Sequence, residues 1–376
     1  MLGLNSGIYQ KEGFMKIDVI GTRGFPGIQG GVERHCERLY PLMEGVKIRV
    51  FRRKPFINKA YKNTKYDNIQ FLDLPSTRVT GLEAVFHSLL ATLISVFSRT
   101  QVVHIHNIGP AMFAPLLRLA GKKVVLTYHS ANYEHDKWNW FGKFVLRMSE
   151  KIALSASNRI IFVNKFQRDK YSEKVKAKSV YIPNGIVPLQ RNPATDFLQK
   201  LGVDPGKYIL SVGRITPEKG FDLLIQAYNN LKTEVKLVIA GAPDQDTAYF
   251  DSLKAMAGDN VVFAGFVDGG NLSQLYSHAL VYVLSSRIEG FPLVLLEAIN
   301  FGLPLLVSDI EATHLLDLPE KSYFKSADVE SMQLKLSEFL AESVDSYRCR
   351  TVNVADYDWK KIAARTTAVY QAAIVG

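Results

Sequence analysis

The stretch Glu289-Gly290-Phe291-Pro292-Leu293-Val294-Leu295-Leu296-Glu297 places two carboxylates around the start of a predicted helix. It follows an apolar run, Leu280 to Leu284, that is typical of a buried strand. Pro292 suits the first helical turn, because its missing N–H would have no intrahelical partner there. The free amides of Leu293 and Val294 would then favour an anion such as a diphosphate. Taken alone, the glutamates fit an anion-binding mouth and a solvated helix start equally well.

A second stretch, Gly213 to Asp222, lies between a predicted strand, Tyr208–Val212, and a predicted helix, Leu223–Leu231. It carries Arg214 and Lys219 on a loop punctuated by glycine and proline. Arg214 can grip phosphate oxygens with two N–H groups at once, and Lys219 adds a point charge. Either cation alone would more often be a surface charge. Both together, upstream of the paired glutamates, predict a diphosphate site.

These stretches resemble the retaining nucleotide-sugar glycosyltransferases of family 4, which have the two-domain GT-B fold, and the resemblance covers nearly the whole chain. It implies that Arg214 and Lys219 hold the donor diphosphate. It also implies that Glu289 lies beside the transferred sugar and that Glu297 binds the ribose hydroxyls. The base is expected near Phe266. The remaining predicted donor-binding residues lie between the glutamates: Gly290, Phe291, Pro292, Leu293 and Val294.

The loop from Gly21 to Arg34 supports the same interpretation for the front half. It follows a predicted strand, precedes a predicted helix, Val32 to Met43, and holds five glycines in eleven residues. Such a backbone can approach a ligand closely. The spacing lacks the G-x-G-x-x-G pattern of NAD-binding folds. The resemblance implies that Gly30 and Gly31 face the donor diphosphate.

The front half resembles more narrowly a subgroup that includes rhamnosyltransferases of bacterial surface polysaccharides. The strand Val125–Tyr128 ends at His129, which by this resemblance contacts the transferred sugar and is the third predicted site residue. The run Ser130 to His135 departs from the subgroup pattern, which leaves the donor sugar open. The matching stretches are Ile20–Glu33, Val103–Pro110 and Lys137-Trp138.

His104 and His106 allow a different interpretation. Alternate residues of a strand share a face, so both imidazoles could bind one metal. No cysteine or acidic residue lies within a few positions, and the resembling family uses no divalent ion. We therefore interpret them as structural histidines near the cleft and expect neither a metal nor another cofactor.

Composition is consistent with a globular protein of two domains. The chain has 376 residues, of which 47% are hydrophobic, and only two cysteines, Cys36 and Cys349. Their spacing suits no metal site, and so few cysteines suggest a reducing cytosol. Residues 1–14 lack the apolar core of a signal peptide and are expected to be a flexible extension. The apolar stretch Leu82–Phe97 is too short to span a membrane and is predicted to be a buried helix.

Strands alternate with helices throughout, and their continuous apolar runs predict two doubly wound parallel sheets that face each other across a cleft. Residues 15–187 should form the acceptor-binding domain, 188–355 the donor-binding domain, and 356–376 a helix that returns to the first domain. The turn-rich hinge is Ile182–Pro188. The expected strands are Lys16–Gly21, Lys47–Arg52, Ile69–Leu74, Val102–Asn107, Lys123–Tyr128, Arg159–Val163, Tyr208–Val212, Val235–Ala240, Val261–Phe266, Leu280–Leu284 and Pro304–Ser308.

Charge divides sharply between the halves, with net +16 for residues 1–190 and net −6 for residues 191–376. Nucleic acid is not expected, because no recognition motif accompanies the cations. The segment Phe51–Tyr66 carries six cations and no acid, which predicts contact with an anionic membrane. Phe56, Ile57 and Tyr61 would dip into the interface. Alternatively, Arg53 and Phe56 face the active site.

The function implied is transfer of a hexose-type sugar, rhamnose among the candidates, from a nucleotide-diphosphate donor to a saccharide acceptor with retained configuration. The acceptor is expected to be linked to a polyprenyl diphosphate in surface polysaccharide assembly, at the cytoplasmic face of the membrane. One alternative is a GT-B epimerase or phosphorylase. Another is an inactive sugar-nucleotide-binding or assembly protein.

Overall fold

The computed structural model describes residues 14–28, 30–57, 59–77, 82–131, 139–187, 190–243, 247–342 and 344–376. Most of the expected N-terminal extension, the Lys137-Trp138 pair and Pro188 lie outside these residues. The domain boundaries therefore stay predictions. The strands and helices assemble around two separate sheets.

The first sheet contains seven parallel strands in the order β3-β2-β1-β4-β5-β6-β7. Strand order reverses between β1 and β4, which opens a crevice at the carboxyl ends of the strands. Strand β4 is buried along its whole length, as expected for a strand covered on both faces. The strands are β1 (Met15–Ile20), β2 (Val46–Arg53), β3 (Ile69–Leu74), β4 (Val102–His106), β5 (Lys123–Tyr128), β6 (Arg159–Phe162) and β7 (Ser179–Tyr181).

The second sheet contains six parallel strands in the order β10-β9-β8-β11-β12-β13, and its order reverses between β8 and β11. The prediction of two doubly wound parallel sheets is confirmed. Its strands are β8 (Tyr208–Val212), β9 (Lys236–Ala240), β10 (Val261–Gly265), β11 (Val281–Leu284), β12 (Leu305–Asp309) and β13 (Tyr323–Lys325). The sequence pattern missed β7 and β13, because three residues at a sheet edge leave no apolar run to detect.

Helices cover both faces of each sheet. On the first sheet, α1 and α13 pack on one face, and α2, α3 and α4 pack on the other. On the second sheet, α8, α9 and α12 lie opposite α7, α10 and α11. The helices are α1 (Gly31–Leu39), α2 (Leu82–Val96), α3 (Ala114–Leu119), α4 (Trp140–Ala156), α5 (Lys165–Asp169), α6 (Glu173–Lys176), α7 (Asp196–Lys200), α8 (Phe221–Asn229), α9 (Ala248–Met256), α10 (Gly269–His278), α11 (Leu293–Asn300), α12 (Val329–Ala341) and α13 (Trp359–Val375).

The chain crosses between the sheets twice, and the two crossings touch. The amide of Ile186 donates to the carbonyl of Tyr357 at 2.8 Å, and a side chain on Gly185 would collide with Trp359. Beyond this contact α13 packs onto the first sheet through Ile362, Tyr370 and their neighbours. The paired crossings form a compact hinge at one side of the cleft.

Two sequence predictions for helices were wrong in detail. Pro292 caps α11 rather than occupying its first turn. The stretch predicted as a buried helix forms α2, but Leu82 and Phe86 are 59% and 44% exposed. Only the opposite side of α2 packs on the sheet. Among the described residues, no helix is long and apolar enough to cross a bilayer.

Candidate active site

The two domains come into contact where the loop after β11 meets the end of β5. A side chain at position 290 would collide with the carbonyl oxygen of His129, so glycine is required for this approach. Glu289 lies one residue earlier on the same loop, and His129 is 8% exposed. The structure therefore brings the two residues predicted to be catalytic to one point of the cleft.

Lys219 and Glu289 form an ion pair at this point. The Nζ atom of Lys219 lies 2.5 Å from Oε1 of Glu289, and the side chains are 18% and 10% exposed. The hydroxyl of Ser286 donates to the same carboxylate oxygen at 2.7 Å. A positive φ at Gly220 ends the turn that carries Lys219, and Ser285 donates to the Lys219 carbonyl at 2.9 Å. The ammonium group is thus positioned by its own loop as well as by its partner.

Arg214 lies half-buried on the same loop after β8. The loop is anchored on both sides of it, because the amides of Gly213 and Ile215 donate to carbonyls of Ala240 and Ala242, each at 3.0 Å. Both predicted diphosphate ligands therefore lie at the carboxyl edge of the second sheet. This edge is where doubly wound sheets bind ligands.

The start of α11 adds a second anion-favouring element. The helix begins at Leu293, so the amides of Leu293 and Val294 lie in its first turn and lack intrahelical acceptors. Phe291 and Pro292 are buried in front of it, and the Phe291 ring packs against Tyr357 with centroids 6.0 Å apart. The helix start is therefore fixed against the hinge.

Glu297 lies just beyond the first turn of α11, where it bridges the two domains. Its Oε1 atom accepts a hydrogen bond from Nη1 of Arg34 at 2.9 Å, and its Oε2 atom accepts one from the Tyr276 hydroxyl at 3.0 Å. Arg34 belongs to α1 of the first domain. Both predicted donor-site glutamates are therefore paired with a cation in this structure.

The glycine-rich loop turns into α1 opposite the start of α11. Gly30 has a φ of 155° and precedes the helix, where a Cβ atom would collide with the Glu33 carboxylate. Glu33 closes the loop by accepting from the amide of Arg23 at 3.0 Å. Gly31 is exposed, and a Cβ atom there would meet no described atom within 4 Å. The Glu33 carboxylate could move aside, so it is the positive φ that favours glycine at position 30, and neither φ nor packing requires glycine at position 31.

Behind His129 lies a buried group of imidazoles. His129 Nε2 and His106 Nδ1 are 2.9 Å apart, and His35 Nδ1 lies 2.6 Å from Oδ1 of Asn184 in the hinge. Burial lowers the pKa of His35 to about 4 and places the pKa values of His106 and His129 well below the usual range. These rings are therefore neutral near pH 7.

His104 has a structural environment. Its Nδ1 atom contacts the hydroxyls of Tyr40 and Tyr370 at 2.8 and 2.7 Å, and its Nε2 atom contacts that of Thr127 at 2.7 Å. The potential metal-binding geometry involves other histidines, because one nitrogen each of His35, His106 and His129 lies within 4.8 Å of the others. The absence of a metal stays a prediction.

Two protein families together match most of the chain. The family described as Glycosyl transferases group 1 matches residues 194–350, and Glycosyltransferase Family 4 matches residues 29–188. The chain is a GT-B glycosyltransferase. The predicted GT-B fold class is thereby confirmed.

Relatives of this glycosyltransferase match most of its length. An uncharacterized glycosyltransferase of Methanocaldococcus jannaschii is 28% identical and covers 96% of this chain and 99% of its own. The amylovoran biosynthesis glycosyltransferase AmsD of Erwinia amylovora is 24% identical over 87% of this chain and 83% of its own. The Anabaena HepE structure in complex with UDP and glucose has a TM-score of 0.76 at 16% identity, and covers 95% of this chain and 100% of its own.

Several contacts of the glycosyltransferase site could not be predicted from the sequence. Arg34 closes the glycine-rich stretch, but its partner Glu297 lies 263 positions away. Asn184 is likewise defined by its contact with His35, 149 positions away, and Tyr276 by its contact with Glu297, 21 positions away. The signal available for Arg34 was its position at the end of a motif predicted to line the cleft.

Phe266 immediately follows β10 at the carboxyl edge of the second sheet and is 50% exposed. An exposed aromatic ring at this edge offers a surface on which a nucleobase could stack. Its role as a base contact stays a prediction.

Membrane contact of Phe51–Tyr66 stays a prediction, although the structure buries part of this segment. Arg52 and Arg53 are buried and pair with Asp73 at 2.7 Å and Glu83 at 3.2 Å, so two of the six cations are internal. Phe56 is half-buried beneath the Arg23 guanidinium, 5.0 Å from the ring centroid. The segment packs back towards the glycine-rich loop, and Asn58 and the Lys59 side chain lie outside the described residues.

Proposed function

We propose that this protein transfers a hexose-type sugar from a nucleotide-diphosphate donor to a hydroxyl group of a lipid-linked saccharide, with retention of the anomeric configuration. The observation that carries the proposal is the meeting of Lys219 and Glu289 from one domain with His129 from the other. The UDP and glucose in the Anabaena structure support a nucleotide-sugar donor. The name of the Erwinia relative supports a role in polysaccharide synthesis.

The two ion pairs suggest how the donor would bind. In this structure Lys219 neutralises Glu289 and Arg34 neutralises Glu297. A diphosphate at the start of α11 would draw Lys219 towards its oxygens and leave Glu289 to accept hydrogen bonds from the sugar. A ribose bound by Glu297 would replace the Arg34 contact in the same way. Donor binding would therefore exchange internal ion pairs for charge-assisted contacts with the ligand.

The proposed reaction breaks the bond between the anomeric carbon and the diphosphate oxygen and forms a glycosidic bond on the same face. The acceptor hydroxyl gives its proton to the departing diphosphate, which leaves as a nucleoside diphosphate. Arg214, Lys219 and the amides of α11 would stabilise the negative charge that develops on this group. His129 would contact the sugar as a neutral donor or acceptor of hydrogen bonds. We propose that no metal takes part.

The acceptor is proposed to be a saccharide on a polyprenyl diphosphate, bound by the basic first domain at the cytoplasmic face of a membrane. The donor sugar is proposed to be a hexose or deoxyhexose, with rhamnose included. A phosphorylase would require inorganic phosphate, and an epimerase would turn over without an acceptor. An inactive binding protein would bind nucleotides without turnover.

The test is release of nucleoside diphosphate from a panel of UDP-, GDP-, dTDP- and ADP-sugars, with and without saccharide acceptors. We expect one donor to be hydrolysed slowly alone and consumed faster with an acceptor. Arg214→Ala should lower kcat/KM about 100-fold, since it removes a contact that strengthens in the transition state. Lys207→Ala is the matched control, because Lys207 precedes β8 at the opposite sheet edge and is 73% exposed.

The anomeric configuration of the product, read by NMR, tests retention separately from transfer. An inverted product would refute the retaining mechanism but leave the transferase assignment in place. Phosphate-dependent turnover, or binding of nucleotides without any turnover across the panel, would refute the transferase proposal itself.

A further inference from the structure

Helices α2, α3 and α4 leave large apolar side chains in contact with solvent. Their buried sides pack on one face of the first sheet, and α3 contacts both of its neighbours, so the outer sides form one continuous surface. We name it the α2–α4 face. Its exposed apolar residues include Leu82 (59%), Phe86 (44%), Phe97 (87%), Leu119 (86%), Trp140 (79%), Phe141 (58%) and Phe144 (56%). Such a concentration usually marks an interaction surface.

The acidic and basic residues of this face differ in their exposure to solvent. Between residues 82 and 131 and between 139 and 156, the only two acids are Glu83 and Glu150, and both are buried. Glu83 pairs with Arg53, and Glu150 accepts from the Tyr128 hydroxyl at 2.5 Å. The cations of the three helices, in contrast, reach solvent at least in part: Arg118, Lys143, Arg147 and Lys151.

The α2–α4 face reaches the edge of the cleft. Helices α2 and α4 each follow a strand of the first sheet, so both begin at the carboxyl edge, where His129 lies. Helical side chains tilt towards the helix N-terminus. The end of the face that is closest to the candidate active site therefore carries three exposed aromatic residues, Trp140, Phe141 and Phe144.

We propose that the α2–α4 face docks this glycosyltransferase on an anionic phospholipid bilayer. Aromatic residues with lysine and arginine are the combination that binds the interface of such a membrane. A second copy of the chain fits less well, because a symmetric contact would bring the cations of both copies together. The inference rests on the proposed lipid-linked acceptor, which would then reach the cleft from the membrane surface.

The test is sedimentation of the full chain with vesicles of phosphatidylcholine containing ~30% phosphatidylglycerol, a strongly anionic surface. Phe141→Ser/Phe144→Ser and Lys143→Gln/Lys151→Gln should each lower the partition coefficient by about 10-fold. The binding that the lysines provide should also weaken as salt rises. Matched controls on the second domain are Leu334→Ser, at a residue 58% exposed, and Lys207→Gln/Lys254→Gln.

Calorimetry with the free nucleoside diphosphate should give wild-type affinity for all four variants, since none of these residues lies at the donor site. Failure of the wild-type protein to sediment at low salt would overturn the proposal. An equal loss of vesicle binding in the control variants would also overturn it. The same holds if vesicle binding is lost in Lys62→Gln/Lys65→Gln, in the Phe51–Tyr66 segment, and not in the variants of the α2–α4 face. If the wild-type protein is a dimer and Phe141→Ser/Phe144→Ser dissociates it, the α2–α4 face binds a second copy of the chain and not a membrane. Vesicle binding without sugar transfer would refute the proposed function alone.

Discussion

Replacing Lys219 with methionine should separate two effects of a single ammonium group. Its Nζ atom lies 2.5 Å from Oε1 of Glu289, and both side chains are largely buried. Methionine keeps much of the side-chain volume but removes the cation. Glu289 then keeps the hydrogen bond from Ser286 at 2.7 Å and loses its charge partner. We therefore expect Lys219→Met to lower both stability and activity.

The stability loss can be bounded from the geometry. A hydrogen bond to a charged group contributes about 1.5–3 kcal/mol, and exposed pairs contribute less than 1 kcal/mol, so this slightly exposed pair should contribute about 2 kcal/mol. In a domain of 150–250 residues that loss lowers Tm by about 4–8 °C. The double variant Lys219→Met/Glu289→Gln removes the unpaired carboxylate. It should recover more than half of the loss in Tm.

Activity should not recover with stability. Lys219→Met should lower kcat/KM about 100-fold, because it removes a charge that stabilises the leaving diphosphate. The double variant should remain at or below that level. Thermal unfolding without ligand and release of nucleoside diphosphate measure the two effects independently. Near-wild-type turnover of Lys219→Met, or a double variant no more stable than the single one, would refute the reasoning.

Three further predictions concern the paired glutamates, the histidines and the metal. Glu297→Gln should weaken binding of free nucleoside diphosphate by about 1–3 kcal/mol, whereas Glu289→Gln should spare it and lower turnover; equal losses in calorimetry would show that the roles are misassigned. Burial lowers the pKa of His35 to about 4 and that of His104 to about 3, so both are neutral in the native protein. The free energy of unfolding should therefore fall as pH drops from 6.5 to 4, by up to about 1.4 kcal/mol per pH unit for each histidine. Urea unfolding at several pH values in this range measures it. A free energy of unfolding that does not change with pH would show that the histidines are not buried. EDTA should leave kcat/KM unchanged, and a loss restored by added zinc would contradict the metal-free mechanism.

The local pattern of the chain was sufficient to predict the sheets. Continuous runs of valine, isoleucine and leucine identified eleven strands within one or two residues of their observed bounds, because a strand buried on both faces needs apolar residues throughout. The same criterion failed for β7 and β13, which are short edge strands. It also failed for α2, since high apolar content does not by itself show that every side of a helix is covered.

Motif spacing identified the loops that approach the cleft but not their partners. Arg214 and Lys219, and Glu289 and Glu297, are recognisable because loops after parallel strands must lie at one edge of a sheet. The contact of Lys219 with Glu289 joins residues 70 positions apart, and that of Arg34 with Glu297 joins residues 263 apart. The first pairing depends on the order of strands in the second sheet, where β8 lies beside β11, and the second depends on how the two domains face each other. No local pattern encodes either arrangement.

The sequence by itself determined the order of strands and helices, the glycine-rich and cationic loops, and the excess of positive charge in the first half. Only the tertiary structure decided where that charge is available. Arg52 and Arg53 form internal ion pairs, whereas Lys143 and Lys151 reach solvent on a helix that also exposes aromatic rings. The physical reason is that burial and pairing, not residue type, decide whether a cation can act on a partner outside the protein.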